Sequence, residues 1–206
     1  MKKETKSAKN TLLWSVIMSA PGPIVMGLGL IIGKSSTQVA NFVRRSAELL
    51  GIVMAYVVYL ITNKDEKYNP EKKEHLEKIS NVFVGAMMCL GGAIMIALAL
   101  FSENSDKGNV IPGLAISLLG VVANTIFWRK YTRLNKASPN AIMQVQSRLY
   151  GAKSLVDLCV SLALLSVALL PGTALSYYLD LVGSVIVAVY LVFCGVKTIY
   201  ERIKNK

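Results

Sequence analysis

The chain has 206 residues, of which 53% are hydrophobic and 17% are charged, and its formal net charge is +11. Soluble domains carry about a quarter charged residues, so this composition excludes an ordinary soluble domain and predicts a polytopic membrane protein. In such a protein a basic balance reports topology rather than binding to nucleic acid. No nucleophile–base set and no phosphate-binding loop occurs in the sequence, so we expect neither an enzyme nor a cofactor.

Six apolar segments are long enough to cross a bilayer, which takes about 20 helical residues. They lie at residues 11–33, 36–62, 79–101, 110–128, 143–170 and 174–200. The predicted fold class is therefore all-α, a single domain of six transmembrane helices over residues 1–206. The charged stretch "KYNPEKKEHLEKI" before the third span is predicted to extend that helix, with His75 as a solvated side chain.

The first span contains Pro21 and Pro23. Each proline removes a backbone donor, so we expect the helix to bend or break there. A break is tolerated where neighbours or water satisfy the freed carbonyls; a simple kink and a break that lines a transport pathway both fit. A cleaved signal peptide is the weaker interpretation, because apolar character resumes after Pro23 and continues to Ile32.

The basic residues predict the orientation of the chain. Seventeen of them lie in segments 2–9, 64–78, 129–136 and 197–206, all on one side of the predicted spans, against only Lys34 and Lys107 in the opposite loops. The positive-inside rule therefore places both termini in the cytoplasm.

Glycines recur in the later spans, and three cysteines lie in apolar runs without close-spaced pairing. Membrane helices associate by close backbone approach at small residues, so the glycines predict helix packing. The cysteines are interpreted as small buried side chains and predict neither a disulfide nor a thiolate metal site.

Two spans carry charges at membrane depth. The second contains Arg44 and Glu48, and the fifth contains Lys153 and Asp157. In each pair the residues are four apart and so lie on one helix face. Ionisable groups inside a bilayer cost several kcal/mol unless they are paired or face a cavity, and they mark functional sites by default.

Depth predicts which of these charges can meet. With 1.5 Å of rise per residue, Glu48 lies about 18 Å and Lys153 about 15 Å below the outer edge of the hydrocarbon. Arg44 and Asp157 are likewise nearly level, so crossed pairs Glu48–Lys153 and Arg44–Asp157 are predicted between adjacent second and fifth spans. Pairing within each helix is the alternative, and either arrangement fits a structural salt bridge or a substrate site. Arg45, turned about 100° from Arg44, is predicted to reach the outer surface.

These motifs resemble the membrane domain of the cation diffusion facilitators, which exchange zinc, iron or manganese for protons. That family carries Ala-Asp-x-x-[His/Asp]-x-x-x-Asp in span two and His/Asp-x-x-x-Asp in span five. Here "ANFVRRSAE" places Ala40 and Asn41 at the start of the first motif and Arg44 and Glu48 at its ligands; "KSLVD" places Lys153 and Asp157 at the second. "KKEHL" at 72–76 and Asp180 in the sixth span match more loosely.

Two departures from the family follow. Arg44 and Lys153 offer a metal no lone pair when protonated, so no metal is expected at this site. The sequence ends at Lys206, so the family's C-terminal cytoplasmic domain is not expected.

The resemblance implies a multi-pass transporter for cation efflux or antiport, in a bacterial or archaeal plasma membrane, with its substrate path at Asn41, Arg44, Glu48, Lys153 and Asp157. The implied partners are membrane lipid, a small cation or proton as substrate, and a second copy of the chain as a homodimer. The alternative is a structural or regulatory membrane protein that transports nothing.

Overall fold

The computed structural model describes residues 2–32, 36–63, 69–101, 111–169 and 173–204. All secondary structure in these ranges is helical, and the helices are α1 (Lys2–Ser19), α2 (Pro21–Ile32), α3 (Ser36–Thr62), α4 (Pro70–Phe101), α5 (Ile111–Ala137), α6 (Ala141–Leu169) and α7 (Ala174–Lys204). Lys34, Lys107 and the side chains of Asn41 and Asp180 lie outside the described residues.

The first predicted span is divided into α1 and α2 at Ala20. The amide of Ala20 still donates to Val16 O at 2.9 Å, whereas the amide of Ile24 reaches Ala20 O at only 3.5 Å. Neither Pro21 nor Pro23 has a backbone N–H to donate. The predicted break is therefore confirmed at Ala20, where each of the two prolines removes one helical hydrogen bond.

Asparagine side chains begin two of the longer helices. Asn69 Oδ1 accepts from the amides of Glu71 and Lys72 at the start of α4, with Pro70 in the first helical position. Asn140 Oδ1 accepts from Ile142 and Met143 at the start of α6. These caps satisfy amides that have no partner within the helix. They also explain why α4 includes the predicted extension before the apolar part of its sequence.

Three of the described helices are long and apolar enough to cross a membrane by length and composition. The segments are Phe42–Thr62 in α3, Pro70–Ala97 in α4 and Ala141–Ser166 in α6. The prediction of six spans stays a prediction.

The helices pack in two closely associated pairs, α4 with α7 and α5 with α6, and α3 packs mainly on α4. Glycines allow the α4–α7 approach. A Cβ atom at Gly92 would lie 2.8 Å from Ala188 O, and one at Gly195 would lie 2.6 Å from Gly85 O. The predicted packing at small residues is confirmed here, because no side chain fits between these backbones.

The basic segments share one end of the bundle. Tyr59, near the end of α3, donates to Thr5 O in α1 at 3.5 Å. Asn140, before α6, donates to Glu77 in α4 at 3.3 Å. Near the end of α7, Glu201 pairs with Arg148 of α6 at 2.7 Å. The start of α1, the end of α3, the start of α4, the α5–α6 connection and the end of α7 therefore lie together.

Candidate substrate cavity between the charged helices

Glu48 of α3 and Lys153 of α6 meet as the depth argument predicts. Their Oε2 and Nζ atoms are 3.4 Å apart, and both side chains are nearly buried. The two helices make few other contacts, so this ion pair is the main link between them. The predicted Glu48–Lys153 pair is confirmed because a fixed rise per residue sets the level of each side chain.

Arg44 does not meet Asp157, and that predicted pair is wrong. Arg44 Nη1 lies 3.9 Å from Glu48 Oε1 within the same helix and 3.6 Å from the sulfur of Met95 on α4. The guanidinium is thus turned toward α4 and away from α6. Glu48 consequently lies between two cations. Arg44 pairs with it within α3, as in the alternative prediction, and Lys153 pairs with it across the helix interface.

Asp157 is held from α5 by a neutral group. Asn124 Nδ2 donates to Asp157 Oδ2 at 2.6 Å. Gly120, one turn earlier on α5, faces the same carboxylate, because a Cβ atom at that position would overlap Asp157 Oδ2. The missing side chain at Gly120 gives the carboxylate its place, and Asn124 fixes its orientation.

The Asn124–Asp157 bond belongs to a ladder of polar contacts between α5 and α6. Thr132 bonds Ser147 at 2.7 Å, Thr125 bonds Ser154 at 2.6 Å, and Ser161 donates to Ser117 at 2.9 Å. Hydrogen bonds between membrane helices are a recognised source of association. The ladder fixes the register of the antiparallel pair and hence the height of Asp157.

Lys153 has an aromatic neighbour as well as an acidic one. Its Nζ lies 5.2 Å from the centre of the Tyr150 ring, within the range of a cation–π contact. Tyr150 stacks on Tyr131 with 5.4 Å between ring centres, and Tyr131 donates to Ser15 Oγ of α1 at 2.8 Å. The lysine therefore rests on a buried aromatic layer that connects α5, α6 and α1.

A cavity of about 210 Å³ opens onto these charges. Its walls come from the α1–α2 break and from α3, α5 and α6, and the lining residues are Met18, Ser19, Gly22, Pro23, Arg44, Arg45, Glu48, Gly120, Ala123, Asn124, Lys153, Val156 and Asp157. A cavity needs only about 10–15 Å³ to hold one water, so this cavity has room for several waters. The α1–α2 break thus lines a polar cavity.

Arg45 lines this cavity, and the prediction that it reaches the outer surface stays a prediction. Its Cδ and Nη1 atoms lie 3.4 Å from the position of a Cβ at Gly22, next to the start of α2. The helix break makes room for the guanidinium beside a residue that has no side chain. A sequence pattern does not reveal this space, because it depends on how α2 packs on α3.

The donor set does not suit a transition metal. Among the residues that the structure describes, no three His, Cys, Asp or Glu side chains come close enough together to hold a metal ion. Zinc needs about four N, S or O ligands, or three and a water. Glu48 and Asp157 are the two carboxylates that line the cavity, and three cations share it with them.

Among the lining residues that were not predicted site residues, three bear on the charges of the cavity: Asn124, Gly120 and Arg45. Asn124 carries a usable signal, since it is an amide within an otherwise apolar span, and polar groups at membrane depth need a partner. Arg45 carries the same kind of signal, as a charge within a predicted span, whereas Gly120 carries none, because its role depends on how α5 is placed against α6. Asn41, a predicted site residue, lies on α3, and its side chain is outside the described residues.

Comparison with known proteins adds one match. Residues 12–205 match the family model described as the cation efflux transmembrane domain, which is nearly the whole chain. Among curated proteins, none matches significantly.

Proposed function

The chain belongs to the cation efflux transmembrane-domain family, and on that premise we propose that it is a carrier that exchanges protons for a small cation other than a transition-metal dication. Membership makes it a multi-pass membrane protein of a cation transporter family. The cargo, the exchange mode and the site are our proposals. The proposed path runs through the cavity at Glu48, Lys153 and Asp157, and Asn41 is proposed to belong to it.

The observation that carries this proposal is the cavity itself. A structural salt bridge between two membrane helices would be dry and closely packed, whereas transport around a midplane site needs water to reach the charges. Glu48 and Lys153 both line a space large enough for several waters. The discontinuous first span lies on the same space, and broken helices recur at the substrate sites of membrane carriers.

In the proposed mechanism Lys153 acts as a tethered cation. While the site is empty its ammonium neutralises Glu48, 3.4 Å away. An arriving cation or proton competes for Glu48 and releases Lys153 toward the Tyr150 ring. Arg44 stays beside Glu48, so the carboxylate is never left without a counter-charge in low dielectric. Release of the cargo on the other side restores the Glu48–Lys153 pair.

A non-transporting structural protein is the competing function. This alternative is supported by the burial of Glu48, whose side chain is only 10% exposed and lies between two cations. Such a protein needs the pair for folding but not for movement of any solute.

The membrane arrangement is also proposed. We place the basic end of the bundle in the cytoplasm by the positive-inside rule, with six spans in a single domain, in the plasma membrane of a bacterium or archaeon. We also propose that two copies of the chain form a homodimer, because homodimers are typical of the family.

Uptake into proteoliposomes tests the function. The purified chain is reconstituted with a pH-sensitive dye inside, and Na⁺, K⁺, methylammonium, Zn²⁺ and Mn²⁺ are added in turn. We expect a monovalent cation to change the internal pH and Glu48→Gln to abolish the change. Lys130→Gln, at an exposed position on α5, is the matched control and keeps it. If no cation moves and both variants fold like the parent chain, the protein is structural.

A further inference from the structure

A groove of about 370 Å³ lies between α5, α6 and α7, apart from the charged cavity. Its floor is one face of α6, on which Gly151, Leu155 and Leu158 recur at spacings of four and three residues. Trp128 of α5 and Tyr190 of α7 form its walls. Leu158, Trp128 and Tyr190 are exposed, so the groove opens on the outside of the bundle, where a membrane protein meets lipid.

The groove runs from the basic end of the bundle along α6. Arg148 lines it at that end, where its guanidinium pairs with Glu201 at 2.7 Å. At 1.5 Å of rise per residue, the distance along α6 from Arg148 to Leu158 is about 15 Å. A bilayer has a hydrocarbon core of about 30 Å. The groove therefore has the depth of a single leaflet.

The charges at the basic end of the groove do not balance. Glu201 is paired with Arg148, and Lys197 and Arg202 attract the same carboxylate. Arg202 is also attracted by Glu77 of α4. Three cations therefore share two carboxylates, and an anionic group at this end of the groove would meet an excess of positive charge.

Lys197 and Trp128 bring polar hydrogens to this end of the groove. Lys197 is exposed and lies on the same face of α7 as Tyr190, because seven residues make about two helical turns. Trp128 Nε1 lies 3.2 Å from the position of a Cβ at Gly151, so the indole rests where α6 has no side chain. Among the described residues no acceptor bonds this N–H. Tryptophan is enriched at membrane interfaces, where its ring is in lipid and its N–H meets polar groups.

We propose that the groove binds one anionic phospholipid, with its phosphate at Arg148 and Lys197 and an acyl chain along Leu155 and Leu158. Basic pockets between membrane helices on the cytoplasmic side are suited to acidic lipid headgroups. A zwitterionic lipid offers the same chains but brings its own cation to a positive site. A second copy of the chain fits less well, because two-fold symmetry would place two equal excesses of positive charge together. The lipid site goes beyond the proposed function and holds whichever cation the chain carries.

Quenching of Trp128 fluorescence by brominated lipids tests the proposal. The sequence has two tryptophans, so Trp14→Phe leaves Trp128 as the reporter. This variant is reconstituted in phosphatidylcholine vesicles that contain a graded fraction of brominated phosphatidylglycerol or of brominated phosphatidylcholine. We expect phosphatidylglycerol to reach half-maximal quenching at a mole fraction at least about fivefold lower, since each nearby cation strengthens the binding of an anionic headgroup.

A lysine substitution in the same background assigns the headgroup site. Lys197→Gln removes one cation of the groove and keeps the Arg148–Glu201 pair, and it should reduce the preference for phosphatidylglycerol at least about threefold. Lys130→Gln is the matched control and should leave the preference unchanged. Lys130 is exposed at the same end of the bundle, but it is two residues from Trp128 and so lies about 200° around α5. Glycerol 3-phosphate in solution should not relieve the quenching, because it lacks the acyl chain.

The other outcomes contradict the lipid site. Equal quenching by the two lipids would refute it. Equal losses in Lys130→Gln and Lys197→Gln would show a general attraction of acidic lipid to the basic end. Relief of quenching by glycerol 3-phosphate would show a site for a free anion. If neither lipid quenches Trp128, a second copy or another protein covers the groove, and the proposal fails. All of these results leave the proposed cation transport as it stands, because the vesicles contain no ion gradient.

Discussion

The α4–α7 interface and the α3–α6 interface are built in opposite ways. Between α4 and α7 the backbones touch at Gly85, Gly92 and Gly195, with no room for a methyl group. Between α3 and α6 the helices stay apart, and a salt bridge and a polar cavity fill the gap. Close packing stabilises membrane helices without polar groups, whereas charges at depth need partners or water. The bundle therefore separates the region that holds it together from the region that we propose moves a solute.

The largest stability effect is expected at the close-packed interface. In Gly195→Ala the new methyl group would lie 2.6 Å from both Gly85 O and Cys89 Sγ. Backbone atoms cannot move aside, so the free energy of unfolding should fall by about 3 kcal/mol. Gly183→Ala on the same helix is the matched control, since its methyl would meet only Cys159 Cβ at 4.0 Å. Detergent unfolding curves for both variants check this, and equal losses would contradict the contrast.

A smaller effect is expected at the charged interface. Lys153→Ala leaves Arg44, 3.9 Å away, as the remaining contact cation of Glu48, and should cost about 2 kcal/mol, less than a dry buried pair would lose. Adding Glu48→Gln should restore part of the lost stability, because the double variant no longer has an uncompensated charge. The same unfolding assay measures both. A single-variant loss of about 4–5 kcal/mol would mean a dry pair and would favour the structural alternative.

Gly120 and Asn124 should act as one unit on Asp157. Gly120→Ala displaces the carboxylate by steric overlap, and Asn124→Ala removes its 2.6 Å hydrogen bond. Each should cost about 1 kcal/mol, and the double variant should cost little more than either, because both changes break the same contact. A double-mutant cycle measures the coupling. Additive losses would show that Gly120 serves helix packing instead.

The smallest effect is expected at the Arg148–Glu201 pair, in which Glu201 lies just beyond the predicted sixth span. Their side chains are joined by contacts of 2.7 and 3.1 Å, and the hydrogen bond from Arg148 lowers the pKa of Glu201. A lowered folded-state pKa means stability that is present above the unfolded value of about 4.3 and is lost as the pH falls through the folded value.

Glu201→Gln should therefore reduce stability at pH 7 by less than about 1 kcal/mol, since the pair is partly exposed. The difference from the parent chain should vanish in acid below the lowered pKa. Unfolding curves at several pH values measure it, with Glu71→Gln at an exposed position of α4 as the control. A difference that persists at the lowest pH would show that the glutamate contributes through packing.

The sequence determined the features that depend on neighbouring residues. Apolar length and charge placement predicted a helical membrane protein, two prolines predicted the break at Ala20, and a constant rise per residue predicted that Glu48 meets Lys153. The family resemblance that followed from these motifs agrees with the match over residues 12–205. These properties depend on neighbouring residues or on the number of residues along one helix, so the sequence alone predicts them.

The tertiary structure decided which way the side chains at each level turn. Arg44 was predicted to meet Asp157 and instead lies against Met95 of α4, and Arg45 lines the cavity beside Gly22. Both outcomes depend on the rotation of α3 about its axis. That rotation is set by packing on α4, which is itself held against α7 through glycines far away in the chain. Helix depth follows from residue count, but helix rotation follows from the sum of such remote contacts.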